Sequence, residues 1–191
     1  MNPATDPFIL FIRHGERLPL PADDPFADVG LTARGYAEVA RLADVLRPRL
    51  CWTAASPFLR CRATAHGLGK EPAVDTRLGL HGPWVVDPDL AAREFAARGT
   101  EGVMRALVAG TRLGGMRSPE EAVPLLLSAG LDRAAAGSGV CVSHDAVLMP
   151  AMGWLFGEAA VEDWLAPLDG FAVELRANGP VVVWRGRERR C

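Results

Sequence analysis

The sequence predicts an α/β fold, a three-layer sandwich with a mostly parallel central sheet and helices on both faces. Three observations carry this. Short β-branched apolar runs alternate with amphipathic helical stretches, the pattern of parallel strands joined by crossover helices. Asn178-Gly179 separates two strand-like runs near the end of the chain, which adds an antiparallel hairpin to that sheet. The 191 residues contain no repeat, low-complexity segment or linker, so one domain spanning 1–191 is expected.

The elements follow in order. Phe8-Ile9-Leu10-Phe11-Ile12 is a continuous apolar run and reads as a strand buried on both faces. Thr32 caps a helix whose Val39, Leu42, Ala43 and Leu46 share one face, and Pro48 stops it. Leu50 to Ala55 reads as a second strand. Ser56-Pro57 then supplies a cap and an N1 proline for a helix to His66. The segment 67–117 has glycine and proline punctuation around Leu78 to Pro88, then helical stretches near Leu90 to Arg98 and Thr100 to Leu107. It is expected to be an insert that determines the substrate. Ser118-Pro119-Glu120-Glu121 opens a helix with a capping box. Gly139 to Ser143 is a third buried strand, with Asp145 a cap for the next helix. Phe171 to Arg176 and Pro180 to Arg185 form the hairpin, and the basic tail to Arg190 is expected to be solvated and frayed.

Composition excludes several function classes. Hydrophobic residues make up 49% and charged residues 23% of the chain, ordinary for a globular protein. The formal charge of −2 argues against a general nucleic-acid binder. All basic residues except Lys70 are arginine. This is a compositional bias, so only arginines at special places count. Cys51, Cys61, Cys141 and Cys191 form no CxxC pair and no zinc-spaced Cys/His cluster. Cys51 and Cys141 lie in apolar runs and are expected to be buried. Met1 to Pro7 lacks the features of a signal peptide, and no apolar run is long enough to cross a membrane. A cytoplasmic protein without membrane or nucleic-acid partners is expected. The sequence carries no signal of oligomeric state.

The polar residues that could do chemistry sit at strand ends. The first strand ends in Arg13-His14-Gly15-Glu16-Arg17, the second in Ser56 with Arg60 a turn later, and the third in Ser143-His144-Asp145. Carboxyl ends of parallel strands line one edge, where ligands bind. Two histidines and three arginines should therefore converge. Guanidiniums gather only around an anion, and their planar fork suits phosphate oxygens. A neutral imidazole at the centre of such a cage is suited to attack phosphorus.

Arg13-His14-Gly15-Glu16-Arg17-Leu18-Pro19 resembles the RHGxRxP signature of the histidine acid phosphatases. Its Arg-His-Gly core is shared by the wider histidine phosphatase superfamily, which includes cofactor-dependent phosphoglycerate mutases. Asp28-x-x-Leu31-Thr32-x-x-Gly35, Ser56-Pro57-x-x-Arg60-x-x-x-Thr64-Ala65 and Ser143-His144-Asp145 resemble further motifs of the superfamily, in the expected order. The resemblance implies a phosphoglycerate-mutase-like fold. It implies that His14 is the phosphorylated nucleophile, that Arg13, Arg17, Arg60 and His144 bind the phosphoryl group, and that Asp145 donates a proton to the leaving oxygen. The mutase branch places a glutamate after the second arginine motif. Here that stretch reads Arg77-Leu-Gly-Leu-His81-Gly-Pro-Trp84, which favours the acid-phosphatase arrangement. The chain has no room for that branch's large helical domain.

The resulting expectation is a metal-independent phosphatase that needs no cofactor and hydrolyses a phosphomonoester of a small soluble metabolite through phosphohistidine. Alternatives are a phosphotransferase or mutase of the same superfamily, or a non-catalytic module that binds a phospho-ligand. Glu16, His81 and Trp84 are candidate substrate contacts, although packing explains Trp84 equally well. Asp145 could be only a helix cap, and Arg17 a surface residue paired with Glu16 or Asp23. The loop Leu18 to Gly30 and the segment Leu78 to Arg117 are expected to bound the site.

Overall fold

The computed structural model describes residues 7–22, 24, 27–157, 159–162 and 164–190. Expectations about Asp23, Cys191 and the first six residues therefore fall outside the described residues. The apolar run at the start forms β1 (Phe8–Arg13), followed by α1 (Ala33–Leu46), β2 (Trp52–Ala55), α2 (Leu59–Gly67) and the two-residue β3 (Ala73–Val74). Then come α3 (Pro88–Val108), α4 (Pro119–Leu131), β4 (Gly139–Ser143), α5 (Asp145–Phe156) and α6 (Ala159–Glu162). β5 (Gly170–Arg176), β6 (Gly179–Trp184) and β7 (Arg187–Arg190) end the chain.

One sheet runs β3-β2-β4-β1-β5-β6-β7. β3, β2, β4 and β1 pair in parallel, whereas β5, β6 and β7 add antiparallel beyond β1. The sheet is thus mixed rather than mostly parallel. Part of the difference is the basic tail: it is not frayed, because Arg187–Arg190 pairs with Val181–Trp184 while its side chains stay exposed.

Strand alternation builds a core on each face. Ile9 and Phe11 point to one side with Cys141, α4 and α5, the second half of α3, and Phe171 and Trp184. Ile12, Val140 and Val142 point to the other, against Val39 and Ala43 of α1 and Cys61 and Ala65 of α2. A period of two along each strand sends alternate side chains to opposite layers, so helices cover both faces as expected.

Several local expectations shift. Thr32 caps α1 and Ser118 with Glu121 forms the capping box of α4. Ser56 does not cap α2, which begins three residues later with Phe58 at the cap position. Likewise His144 is the cap of α5 and Asp145 its first residue. Cys51 is exposed, since it precedes β2 at the end of the sheet, while Cys61 and Cys141 are buried. Segment 67–117 is not wholly an insertion. It begins with the edge strand β3, and Gly99, at φ 67°, breaks α3 into two halves. Only glycine adopts that backbone freely. After the break, Val103, Met104 and Leu107 are buried in the core.

Candidate active site

The parallel ladder continues past the strands and sets the site. The His14 amide donates to Ser143 O (3.0 Å), and the Ser56 amide donates to Val142 O (3.0 Å). His14, Ser56 and His144 therefore stand side by side at the carboxyl edge. The two imidazoles lie 5.5 Å apart between centroids at 71°.

Both rings are almost closed off, at 3% exposure for His14 and 1% for His144. His14 Nδ1 lies 2.8 Å from Gly15 O. A carbonyl only accepts, so Nδ1 carries the proton and Nε2 keeps its lone pair. Burial, helped by the charges of Arg60 and Arg13 and opposed by the Gly15 hydrogen bond, lowers His14 from 6.5 to about 4. Burial and the Arg60 charge likewise push His144 well below the ordinary imidazole range. His144 Nε2 is 2.9 Å from Ser56 Oγ, and its Nδ1 is 3.4 Å from the Arg60 guanidinium. A guanidinium only donates, so Nδ1 accepts and Nε2 donates to Ser56. Near neutrality His14 is thus an uncharged base with Nε2 as its available nitrogen.

The arginines surround these rings. Arg60 is 4% exposed, stacks over Phe58 at 4.6 Å, and reaches Ala27 O at 3.4 Å. Arg13 donates to Leu165 O and pairs with Asp145 Oδ2 at 3.0 Å. Arg17 donates to Leu18 O at 2.9 Å, and its backbone bridges Leu31. The Nε atoms of Arg13 and Arg60 are buried without a partner among the described residues. Buried donors without a partner are uncommon, and an oxyanion would satisfy them. The neighbouring thiol does not compete as a nucleophile, because burial pushes Cys61 up and keeps it protonated.

Contacts from distant parts of the chain hold this edge in shape. Thr64 Oγ1 accepts from the Gly15 amide (2.9 Å) and donates to Arg60 O (2.8 Å). This ties the loop after β1 to α2. The Thr32 amide donates to Glu16 O (2.9 Å) at the start of α1. A Cβ on Gly35 would stand 2.2 Å from that same Glu16 oxygen, so only glycine lets α1 approach so closely. Asp28 Oδ1 accepts from the Leu59 amide at 2.7 Å and serves the start of α2 that Ser56 leaves open.

The rings and guanidiniums face a cavity of about 360 Å³, a size suited to a small ligand. Arg13, His14, Arg17, Arg60, His81, His144 and Asp145 line it. Glu16 and Trp84, expected as substrate contacts, do not. The Glu16 carboxylate accepts from Thr32 Oγ1 (2.7 Å) and lies 3.6 Å from Arg34. Trp84 is 2% exposed, packs in the core and donates to Val147 O at 3.0 Å. The cavity wall comes from residues 80–100 of the middle segment, with Leu20 and Trp164. Trp164 lies on no periodic pattern, so the sequence offers no signal for it. Its Nε1 donates to Asp145 Oδ2 at 2.9 Å.

With strand ends, imidazoles and guanidiniums arranged this way, the site is of the anion-binding α/β class. The comparisons agree with that class. Residues 9–98 match the model of the histidine phosphatase superfamily (branch 1). No curated protein sequence matches the chain. Among solved structures, phosphoserine phosphatase from Entamoeba histolytica in complex with 3-phosphoglyceric acid is 16% identical, with TM-score 0.63, over 93% of this chain and 95% of that one. A mycobacterial glucosyl-3-phosphoglycerate phosphatase is 16% identical, with TM-score 0.60, over 96% of both chains. Phosphoglycerate mutase from Thermus thermophilus is 23% identical, with TM-score 0.52, over 94% of this chain and 98% of that one. At these identities the likeness is one of fold, and the fold is phosphoglycerate-mutase-like. No helix among the described residues is long and apolar enough to cross a membrane.

Proposed function

We propose that the protein hydrolyses phosphomonoesters of small soluble metabolites through a phosphohistidine on His14, without a metal. The observation that carries this is His14 itself: a buried, uncharged imidazole with Nδ1 bound to Gly15 O and Nε2 available, beside Arg13, Arg60 and His144. His14 Nε2 attacks phosphorus as the bond to the ester oxygen breaks. Arg13, Arg17 and Arg60 hold the oxygens on which charge gathers, joined by the His144 Nε2–H once a phosphoryl oxygen replaces Ser56 Oγ as its acceptor. Asp145 gives the leaving oxygen its proton. Water then attacks the phosphohistidine, the P–N bond breaks, and Asp145 takes a proton back.

Asp145 suits this role because its carboxylate lines the cavity between Arg13 and Trp164. A phosphoryl group entering the cage competes for Arg13 and frees that oxygen for a proton. The RHGxRxP and His-Asp motifs support the same assignment by their resemblance to the acid phosphatases. Metal independence is supported by the arginines, which supply the positive charge that a metal would otherwise bring. The test is release of phosphate from p-nitrophenyl phosphate, with labelled phosphate trapped on the protein as an acid-labile, alkali-stable adduct. An alkali-labile, acid-stable adduct would place the phosphoryl group on another residue. A phosphorylated isomer formed without phosphate release would mark a mutase.

A further inference from the structure

The cage accounts for only one side of the cavity. The other side is made by Leu20, Val85, Pro88, Ala92, Phe95 and Trp164. Every guanidinium that lines the cavity, Arg13, Arg17 and Arg60, belongs to the cage, and no lysine lines it. Beyond the cage and Asp145, among the described residues, His81 is the charge-capable side chain in the lining and Thr100 the hydroxyl. The Trp164 ring is 39% exposed, yet its indole N–H is held by Asp145, so the ring stands as a fixed wall beside the proposed proton donor. Phe95 lines the same cavity from the first half of α3, ahead of the break at Gly99.

We infer that the alcohol part of the substrate is apolar, an aryl or branched alkyl group, and that this cavity discriminates against phosphate esters bearing a carboxylate group. The inference rests on the phosphomonoesterase reading for the placement of the phosphoryl group on the cage. A carboxylate in the outer cavity would lose water and gain no lysine or uncommitted arginine in return, which is expensive. An aryl group would bury its surface against Phe95 and Trp164, in the geometry aromatic pairs favour.

Binding of two non-hydrolysable phosphonates tests this without turnover. Phenylpropylphosphonate should bind about 30-fold more tightly than phosphonoalanine, the advantage expected from burying one aryl group. Phe95→Ala should narrow that ratio about tenfold. Ala92→Arg, at an exposed helical position that tolerates a long side chain, should favour phosphonoalanine. Equal affinities, tighter phosphonoalanine, or no binding of either compound overturns the inference. Turnover of p-nitrophenyl phosphate, measured in parallel, separates it from the hydrolase reading. Tight aryl-phosphonate binding without turnover removes that reading and leaves this one. Turnover with a preference for phosphonoalanine does the reverse.

Discussion

The two sides of the cavity are built in opposite ways. The cage side is polar and deeply buried, and its side chains are locked by neighbours: His14 to Gly15, His144 to Ser56, Thr64 to the Gly15 amide. The wall side is apolar and half open, drawn from a helix interrupted at Gly99 and from a loop residue, Trp164. A buried polar group must be satisfied almost completely or the fold suffers. An apolar wall facing solvent needs only rough shape and can change one side chain at a time. Such a division lets one chemistry serve many leaving groups. It also means that a change in the cage should be felt in rate or stability, and a change in the wall in selectivity.

The contrast is sharpest at His14. His14→Ala should lower turnover of p-nitrophenyl phosphate by about 10³-fold or more and abolish the trapped adduct, because the other uncharged imidazole, His144, has its ring nitrogens engaged by Ser56 and Arg60. Its circular dichroism spectrum should match that of the parent. Retention of activity within tenfold would sink the phosphohistidine mechanism. Next comes Asp145→Asn, which should slow alkyl phosphates by about 10²-fold, the size of a general-acid contribution. The loss should be much smaller with p-nitrophenyl phosphate, whose leaving group scarcely needs a proton. Equal losses on both substrates would make Asp145 an anchor for Arg13 and Trp164 only.

The third expectation concerns stability against pH. His14 takes up a proton near 6.5 when unfolded and only near about 4 when folded. Between those values the unfolded chain binds more protons, so stability is lost as pH falls. Urea unfolding should show about 2 kcal/mol less stability from His14 at pH ~5 than at pH ~7.5. His144 shifts in the same direction and adds to the loss. In His14→Ala the drop should be smaller by about that amount, and an unchanged drop would mean that His14 is not buried as an uncharged ring. The smallest effect expected is none: exhaustive EDTA should leave the rate within about twofold, since the guanidiniums carry the charge. Loss on chelation with recovery on added zinc or magnesium would overturn metal independence.

The cage was legible in the sequence because each of its parts is local. A buried strand announces itself by a continuous apolar run, and the residue after it must lie at the sheet edge. Three such runs therefore locate His14, Ser56 and His144 from the sequence alone. What stayed hidden depends on contacts between distant segments. Glu16 follows His14 by two residues, yet Thr32 and Arg34 draw its carboxylate away from the cavity. Trp84 sits in a glycine- and proline-rich stretch that reads as an overhanging loop, but Val147 O on α5 captures its indole. Trp164 enters the wall through a contact with Asp145 that no spacing foretells. The extra antiparallel strand was missed because Arg187–Arg190 is all charge. Backbone pairing with β6, the Glu188–Arg176 ion pair and the contact of Arg187 with Phe156 O make it a strand, and side-chain pattern is silent about an edge of that kind.

Asp28 is separated from the helix it serves by 31 positions. The first turn of α2 therefore has no latch of its own, and Phe58 at its cap position makes no side-chain hydrogen bond. If the Asp28 carboxylate is withdrawn, the Leu59 amide loses its acceptor and the turn that bears Arg60 loosens with it. Local opening of the loop and weakening of the anion grip become one cooperative event. Exchange of the Leu59 amide proton then reports on both, and an anion seated on Arg60 should slow that exchange as surely as any change in the loop.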